Sequence, residues 1–189
     1  KVREEEFVEG MEHNHEEDEE DEAEYDEHVW LSLKNAKISV EKLSAQIAEL
    51  DSANSKFYKS NAQSYIAKLD KLDKEYEQAV SSSKNKTILF GDRFPFRYLA
   101  DDYGINYFAA FVGCSADTEA SFETIAFLAK KVSSEKPKGL FVTESSDLKL
   151  SGSVLQSAKA DIPVYRLNSM QSVTLKNALL PEDKGGERF

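Results

Sequence analysis

The sequence has very little cysteine and no long apolar run. Cys114 is the only cysteine among 189 residues, so no internal disulfide can form, and a disulfide-stabilised scaffold is excluded. Scarce cysteine fits the cytosol and also many exported bacterial proteins. No stretch of about 18 apolar residues occurs, so the sequence predicts no transmembrane helix.

The motifs of the common enzyme classes are also missing. No glycine-rich nucleotide-binding pattern follows a predicted strand, and no serine or cysteine lies in a nucleophile elbow. His28 is the only histidine outside the first 27 residues, so Cys114 lacks the parts of a catalytic pair, and we interpret this thiol as a packing residue. We therefore expect that the protein is not an enzyme.

Negative charge is concentrated at one end of the chain. Residues 1–28 contain 15 of the 35 acidic residues and two of the 24 basic ones, and the net charge of the whole chain is −11. The rest of the chain is nearly neutral, which excludes a basic surface for nucleic acid. Residues 1–25 hold few apolar side chains, so we expect an acidic, disordered loop that carries His13 and His15.

Apolar residues at helical spacing predict two helices after this loop. The first helix spans about Lys34 to Leu50. The second spans residues 56–80 without glycine or proline, and at 1.5 Å per residue it would be about 37 Å long. Its apolar stripe runs through Tyr58, Ala62, Tyr65, Leu69, Leu72, Tyr76 and Ala79. A coiled coil is the alternative, but its three heptads have no matching second segment.

Short apolar runs alternate with helical stretches from residue 84 onward. The predicted strands are Thr87–Phe90, Asn106–Val112, Gly139–Thr143 and Ile162–Leu167. The predicted helices are Phe94–Asp102, Thr118–Val132, Leu148–Lys159 and Val173–Leu180. This order predicts an α/β lobe at 84–180, with a parallel four-stranded sheet covered on both faces, and then a frayed tail at 181–189. Ligands of such sheets bind beyond the carboxyl ends of the strands, so the loops that follow the four strands are candidate sites.

The segment Asp26–Ala36 contains the best candidate for a metal ligand. His28 is preceded by Asp26 and Glu27 and followed closely by Trp30. An imidazole can bind a metal through one ring nitrogen while the other donates to a neighbouring carboxylate. The alternative is an ordinary surface histidine in a charged loop.

This segment resembles the D-P-H-x-W-x-(D/S)-P-x-N-A signature of the zinc- and manganese-specific solute-binding proteins of ABC transporters. Residues 49–54 are similar to the family's "elDPaN" link, and residues 56–80 to its long backbone helix. Three later blocks are also similar and stand in the same order, at Phe96–Gly104, Phe141–Glu144 and Asn168–Met170. The family's acidic, histidine-containing insertion is similar to residues 9–25. The resemblance covers residues 26–177.

The resemblance implies one half of a two-lobed receptor that binds a divalent ion between its lobes. On that pattern the parts of the chain are an acidic loop, a linker with the long helix, and a C-terminal lobe, at 1–25, 26–83 and 84–180. In the acidic loop, His13 and His15 would collect cations at low affinity. We expect a fragment, with the N-terminal lobe and its anchoring segment preceding Lys1.

The resemblance also assigns site residues. The family's ligand histidine corresponds to His28. A second ligand, His or Glu, normally stands where this sequence has Arg93, which cannot ligate a cation, so the neighbouring Asp92 is the candidate substitute. The last ligand, normally Asp, corresponds to Asn168, a weaker and neutral donor, and Glu144 is an accessory acidic group near the same strand ends.

The implied function is to capture Zn²⁺, with Mn²⁺ as the alternative, and to deliver it to a membrane ABC permease. Histidine and carboxylate ligands suit zinc and also accept manganese. We expect a monomer with no nucleic-acid partner, outside the cytoplasm at the cell surface or in the periplasm, lipid-anchored through the missing N-terminus. The alternative is a surface adhesin of the same fold with weakened metal binding, because Arg93 and Asn168 depart from the family's ligands.

Overall fold

The structure, a computed structural model, describes residues 2–11, 25–115 and 119–172. The chain divides into two compact units. The helical unit consists of Glu27–Lys86 and Phe96–Ile105. The sheet unit contains the remaining residues, Lys1–Asp26, Thr87–Pro95 and Asn106–Phe189.

Three α-helices form the helical unit. They are α1 at Leu33–Leu50, α2 at Ser55–Ser82 and α3 at Arg97–Tyr103, with short 3-10 turns at Val29–Leu31 and Ser52–Asn54. The predicted long helix is confirmed: α2 runs unbroken for 28 residues, about 42 Å at 1.5 Å per residue. It packs against α1 of the same chain. No described helix is both long enough and apolar enough to cross a lipid bilayer.

The sheet unit contains two sheets. A small antiparallel pair joins β1 at Arg3–Glu4 to β2 at Tyr25–Asp26. The main sheet holds β3 at Thr87–Phe94, β4 at Asn106–Val112, β5 at Leu140–Thr143 and β6 at Val164–Leu167. These four strands are parallel and lie in the order β4-β3-β5-β6. The predicted α/β fold with a parallel four-stranded sheet is confirmed.

Two helices cover one face of the main sheet. They are α4 at Phe122–Glu135 and α5 at Lys149–Ala158. Leu89 and Leu140 from the sheet pack with Leu128 of α4 and Val154 of α5, and all four are fully buried. Side chains alternate between the two faces of a strand, so this face forms the hydrophobic core. The predicted helix at 173–180 and the tail at 181–189 lie outside the described residues.

The opposite face of the main sheet carries a row of aromatic rings. Tyr107 of β4 stacks on Phe94 of β3, with ring centroids 3.8 Å apart. Phe90 of β3 stacks on Phe141 of β5 at 6.1 Å, and Phe141 contacts Tyr165 of β6 at 5.7 Å. These ring contacts link all four strands across this face.

One predicted strand end is wrong. The sequence places a loop after Phe90, whereas β3 continues to Phe94. The pairing of Phe90 with Ala109 and of Arg93 with Phe111 shows the reason, because three steps along β3 match two along β4. This is a β-bulge, which holds one extra residue without ending the strand.

The expected disorder of residues 1–25 is wrong for the part that is described. Arg3 pairs with Asp26 in the small sheet. Gly10 has a φ of +86°, and a Cβ atom at this position would overlap the ring of Phe127 on α4. Direct packing of a glycine on this ring gives the segment contacts that its composition does not suggest. His13 and His15 lie outside the described residues.

The predicted domain boundary also differs from the structure. The sequence assigns all of 84–180 to one lobe, but residues 96–105 cluster with the helical unit. Two hydrogen bonds explain this placement. Ser32 donates to Asp102 at 2.6 Å, and the hydroxyl of Tyr103 donates to Asp73 of α2 at 2.7 Å.

Candidate metal-binding site

Asp92 joins two strands at the carboxyl edge of the main sheet. Its Oδ2 accepts hydrogen bonds from the Thr143 hydroxyl at 2.6 Å and the Thr143 backbone N–H at 3.3 Å. Its Oδ1 accepts from the backbone N–H of Arg93 at 2.8 Å. Both carboxylate oxygens of this predicted ligand therefore bind protein donors that connect β3 to β5.

Arg93 makes a contact to the next strand on the other side. Its Nε donates to the carbonyl oxygen of Ser115 at 2.6 Å, in the segment that follows β4. A guanidinium donates and has no lone pair for a metal. Arg93 therefore links β3 to the segment that follows β4.

Glu144 connects β5 to the segment after β6. Its two oxygens accept from the Ser169 backbone N–H at 2.9 Å and from the Ser169 hydroxyl at 2.7 Å. Burial alone would raise the pKa of Glu144, but the hydrogen bonds from Ser169 outweigh burial and hold this pKa below its usual value. Arg166 of β6 adds a bond to the Glu144 carbonyl oxygen at 3.0 Å.

Asn168 is the most accessible of the predicted oxygen donors in the sheet unit. Its side chain lies just after β6, in an exposed position, and its Oδ1 accepts from the backbone N–H of Met170 at 2.7 Å. A carbonyl oxygen has a second lone pair, so this contact leaves acceptor capacity at the predicted position.

His28 belongs to the helical unit and is completely buried. Its ring lies against Trp30, with centroids 5.4 Å apart and planes tilted by 52°. Its carbonyl oxygen accepts from the Leu31 N–H at 3.1 Å, at the start of the 3-10 turn. The alternative of an ordinary surface histidine is therefore wrong.

Within the sheet unit, the structure connects two of the predicted residues through the end of β5. Asp92 accepts a hydrogen bond from Thr143 at the end of β5, and the next residue, Glu144, accepts one from Ser169. Within residues 2–11, 25–115 and 119–172, no three His, Cys, Asp or Glu side chains converge as a metal-binding group. The set of His28, Asp92 and Asn168 therefore stays a prediction.

The sequence analysis missed the donors that occupy these carboxylates. Thr143 donates to Asp92, and Ser169 donates to Glu144. The acceptor for Arg93, the Ser115 carbonyl oxygen, was not predicted either. A signal was present, since hydroxyl residues stand at the ends of two predicted strands. These hydroxyl residues could be matched with Asp92 and Glu144 only after the strand order was known.

A fold of this kind, with a buried histidine before a helical hairpin and a parallel βα sheet, has relatives. The model of the family described as "ZnuA: Zinc-uptake complex component A periplasmic" matches residues 1–178. The chain belongs to the ZnuA family. Membership confirms the resemblance to metal-specific solute-binding proteins that the signature around His28 indicates.

Two relatives of this chain come from Streptococcus pyogenes. The zinc-binding protein AdcA of serotype M18 is 30% identical over 172 residues, which cover 91% of this chain and 33% of AdcA. The iron ABC transporter substrate-binding lipoprotein MtsA of serotype M1 is 31% identical over 142 residues, which cover 74% of this chain and 44% of MtsA. The chain thus spans between a third and a half of the length of these relatives.

Solved structures of similar proteins share the fold. A Zn(II)-bound variant of AdcAII of Streptococcus pneumoniae has a TM-score of 0.67 and 25% identity, and covers 85% of this chain and 54% of that one. The laminin-binding adhesin Lmb of Streptococcus agalactiae has a TM-score of 0.69 and 21% identity, over 80% of this chain and 56% of Lmb. The likeness to Lmb is one of fold alone.

Proposed function

We propose that this chain is the metal-binding part of a solute receptor that captures Zn²⁺ and passes it to an ABC permease. The observation that carries this proposal is the family match across residues 1–178, within which the signature histidine, His28, is buried against Trp30. The zinc-binding relative AdcA and the zinc-bound AdcAII structure support zinc as the cargo. No step of the proposed function requires catalysis.

His28 is the proposed principal ligand. A neutral imidazole is a preferred ligand of Zn²⁺, and the tilted Trp30 ring limits the orientations that the imidazole can adopt. Asn168 and Asp92 are proposed as oxygen donors, with Glu144 as the accessory acidic group and His13 and His15 as weak collectors. Because Asp92 is already hydrogen-bonded to Thr143, a metal would compete with that contact, and its contribution would be smaller.

Mn²⁺ is the proposed alternative cargo, since oxygen donors favour it more than they favour zinc. The relative MtsA is named for iron, and a mixed nitrogen and oxygen site of this type accepts several divalent ions. We also propose a position outside the cytoplasm with a lipid anchor, as the description of MtsA as a lipoprotein supports, and a monomeric state.

The test is calorimetric titration of the full chain, stripped of metal by a chelator, with Zn²⁺ and Mn²⁺. We expect His28→Ala to weaken the tight site by more than about 100-fold, because loss of an outer partner of a ligand already costs 10- to 100-fold. The control is a double variant with His13→Ala and His15→Ala, which should reduce only the number of weakly bound ions. Equal tight-site affinity in wild type and His28→Ala would contradict the proposal.

Adhesion is the second candidate function. Arg93 clamps Ser115 at a position where the family has a ligand, and Asn168 is neutral where the family has a carboxylate, so the metal site would be weakened. The laminin-binding adhesin Lmb has the same fold. Saturable binding of the full chain to immobilised laminin, unchanged by His28→Ala, would favour adhesion, and no binding would reject it.

A further inference from the structure

The turn that carries His28 is tied rigidly to the start of α1. The Val29 N–H donates to the Glu27 carbonyl oxygen at 2.7 Å, and the Leu31 N–H donates to the His28 carbonyl oxygen at 3.1 Å. The Ser32 N–H then donates to the Val29 carbonyl oxygen at 3.3 Å. Because each of these bonds joins neighbouring peptides, the backbone of His28 follows any movement of Ser32.

Ser32 is itself held from two sides. It is the N-cap of α1, where its hydroxyl oxygen accepts from the Asn35 N–H at 3.0 Å. The same hydroxyl donates to Oδ2 of Asp102 at 2.6 Å, and Ser32 is only 2% exposed. A short hydrogen bond from a hydroxyl to a carboxylate is among the stronger kinds in proteins. The N-cap bond serves the helix, whereas the bond to Asp102 connects the turn to α3.

Asp102 and the residue that follows it make further contacts within the helical unit. Lys34 donates to the Asp102 carbonyl oxygen at 3.0 Å and lies 3.7 Å from its Oδ1. The next residue, Tyr103, stacks on Tyr76 of α2 at 5.3 Å and donates to Asp73 at 2.7 Å. The end of α3 is therefore attached to α2, and Asp102 acts as a fixed support.

We propose that Asp102 is a positioning residue for His28: through the Ser32 hydroxyl it fixes the 3-10 turn and so presents the imidazole in one orientation for the metal. The consequence for zinc rests on the proposed function of His28. The effect on the ring itself does not, because it concerns the metal-free protein. A preorganised ligand binds a metal more tightly than one whose orientation must be selected on binding.

The experiment compares three variants of the full chain. Asp102→Ala removes the acceptor, Asp102→Asn keeps an oxygen acceptor of the same shape without the charge, and Asp101→Ala is the matched control. Asp101 is exposed and lies within the same helix, where it faces Arg97 at 3.9 Å. Long-range ¹H–¹⁵N spectra of the His28 imidazole in the metal-free protein give the first readout, and calorimetric Zn²⁺ titration gives the second.

We expect Asp102→Ala to shift or broaden the His28 ring signals and to weaken zinc binding by about 10- to 100-fold. Asp102→Asn should restore the signals in part, and Asp101→Ala should leave both readouts unchanged. Unchanged ring signals and unchanged zinc affinity in Asp102→Ala would overturn the proposal, even if that variant unfolds at a lower urea concentration. If Asp102→Ala does not fold, Ser32→Ala removes the donor of the same hydrogen bond, and wild-type His28 ring signals in Ser32→Ala would overturn the proposal equally.

The two proposals fail in different ways. If His28→Ala leaves zinc affinity unchanged, the proposed ligand role is wrong, but a shift of the ring signals in Asp102→Ala still supports the positioning of His28. If His28→Ala abolishes tight zinc binding but the His28 ring signals are unchanged in Asp102→Ala, the ligand role of His28 is supported and the positioning role of Asp102 is wrong.

Discussion

The turn around His28 and the carboxyl edge of the main sheet both rely on polar side chains, but they use them differently. In the turn, a carboxylate holds a hydroxyl, and the imidazole itself packs on an aromatic ring. At the sheet edge, the candidate oxygen ligands Asp92 and Glu144 are themselves the links between strands. A residue type suited to a metal is therefore a weaker candidate where its oxygens already accept hydrogen bonds from protein donors, because a metal must compete with those bonds.

The largest expected effect is on the stability of the sheet edge. Asp92→Ala leaves the buried Thr143 hydroxyl and N–H without this acceptor, and a hydrogen bond to a charged group contributes about 1.5–3 kcal/mol. We therefore expect the free energy of unfolding to fall by about 2–3 kcal/mol, measured by urea denaturation. The control is Asp161→Ala at an exposed position of the same unit, which should change it by less than about 0.5 kcal/mol. Equal stability of the two variants would contradict the linking role of Asp92.

Arg93→His tests whether this residue belongs to the scaffold or to the metal site. Loss of the bond to the Ser115 carbonyl oxygen should lower the free energy of unfolding by about 1–2 kcal/mol and reduce the melting temperature. Lys130→His, at an exposed position of α4, is the control. Tighter zinc binding together with an unchanged melting temperature would instead indicate that residue 93 belongs to the metal site.

The free energy of unfolding should depend on pH through a different group in each unit, Glu144 in the sheet unit and Lys37 in the helical unit. The pKa of Glu144 is held below its usual value, as burial is outweighed by the Ser169 donors, so its stabilising contribution is present above about pH 4.5 and is lost as the pH falls through the lowered pKa. In the helical unit, hydrogen bonds to Asp70 and Asp73 raise the pKa of Lys37. That contribution is present below about pH 10.5 and is lost as the pH rises through the raised pKa.

Two variants test these contributions separately at acid and at alkaline pH. Urea denaturation across the pH range should show a flatter acid limb in Glu144→Gln and a flatter alkaline limb in Lys37→Met, each relative to wild type. Glu144→Gln should leave the alkaline limb as it is, because its donors from Ser169 are neutral. If both variants changed the same limb, the assignment of the acid limb to Glu144 and of the alkaline limb to Lys37 would be wrong.

Asn168→Asp should produce the smallest effect. The new carboxylate can still accept from the Met170 N–H, and it adds a negative charge at an exposed strand end. We expect zinc affinity to rise several-fold, since two opposite unit charges 4 Å apart attract each other by about 1 kcal/mol in water. Asn106→Asp, at the opposite end of β4, is the matched control in the calorimetric titration and should leave zinc affinity unchanged. A gain of the same size in the control would reveal a general charge effect.

Periodicity in the sequence was enough for most of the fold. The stripe from Tyr58 to Ala79 predicted α2 because an unbroken helix must repeat its apolar side every three or four residues. Strand β4 has the bounds that the sequence predicted, Asn106 and Val112. The docking of residues 2–11 was not predictable in this way, since Gly10 contacts Phe127, and contacts between residues far apart in sequence leave no periodic signal.

The sequence predicted which residue types the candidate site contains, but it did not predict which contacts their side chains make. His28 stands in a signature that marks it as a ligand candidate, yet only the structure places its ring in a buried position against Trp30. Asp92 and Glu144 are acidic residues at strand ends, which favours a metal site. Their occupation by Thr143 and Ser169 depends on the strand order β3-β5-β6, which composition does not encode.

The bulge in β3 has a consequence for how positions are matched between relatives. One extra residue stands between Phe90 and Arg93. An alignment that counts residues forward from Phe90 therefore differs by one position from an alignment that counts backward from Phe96. Gly91 fills that place with little space to spare, since a Cβ there would lie 2.9 Å from the Ser151 Cβ. A single-residue deletion at Gly91 would reverse the parity of the strand end and exchange the directions of Asp92 and Arg93. Such a deletion would therefore remove Asp92 from its hydrogen bonds to Thr143 and to the Arg93 N–H.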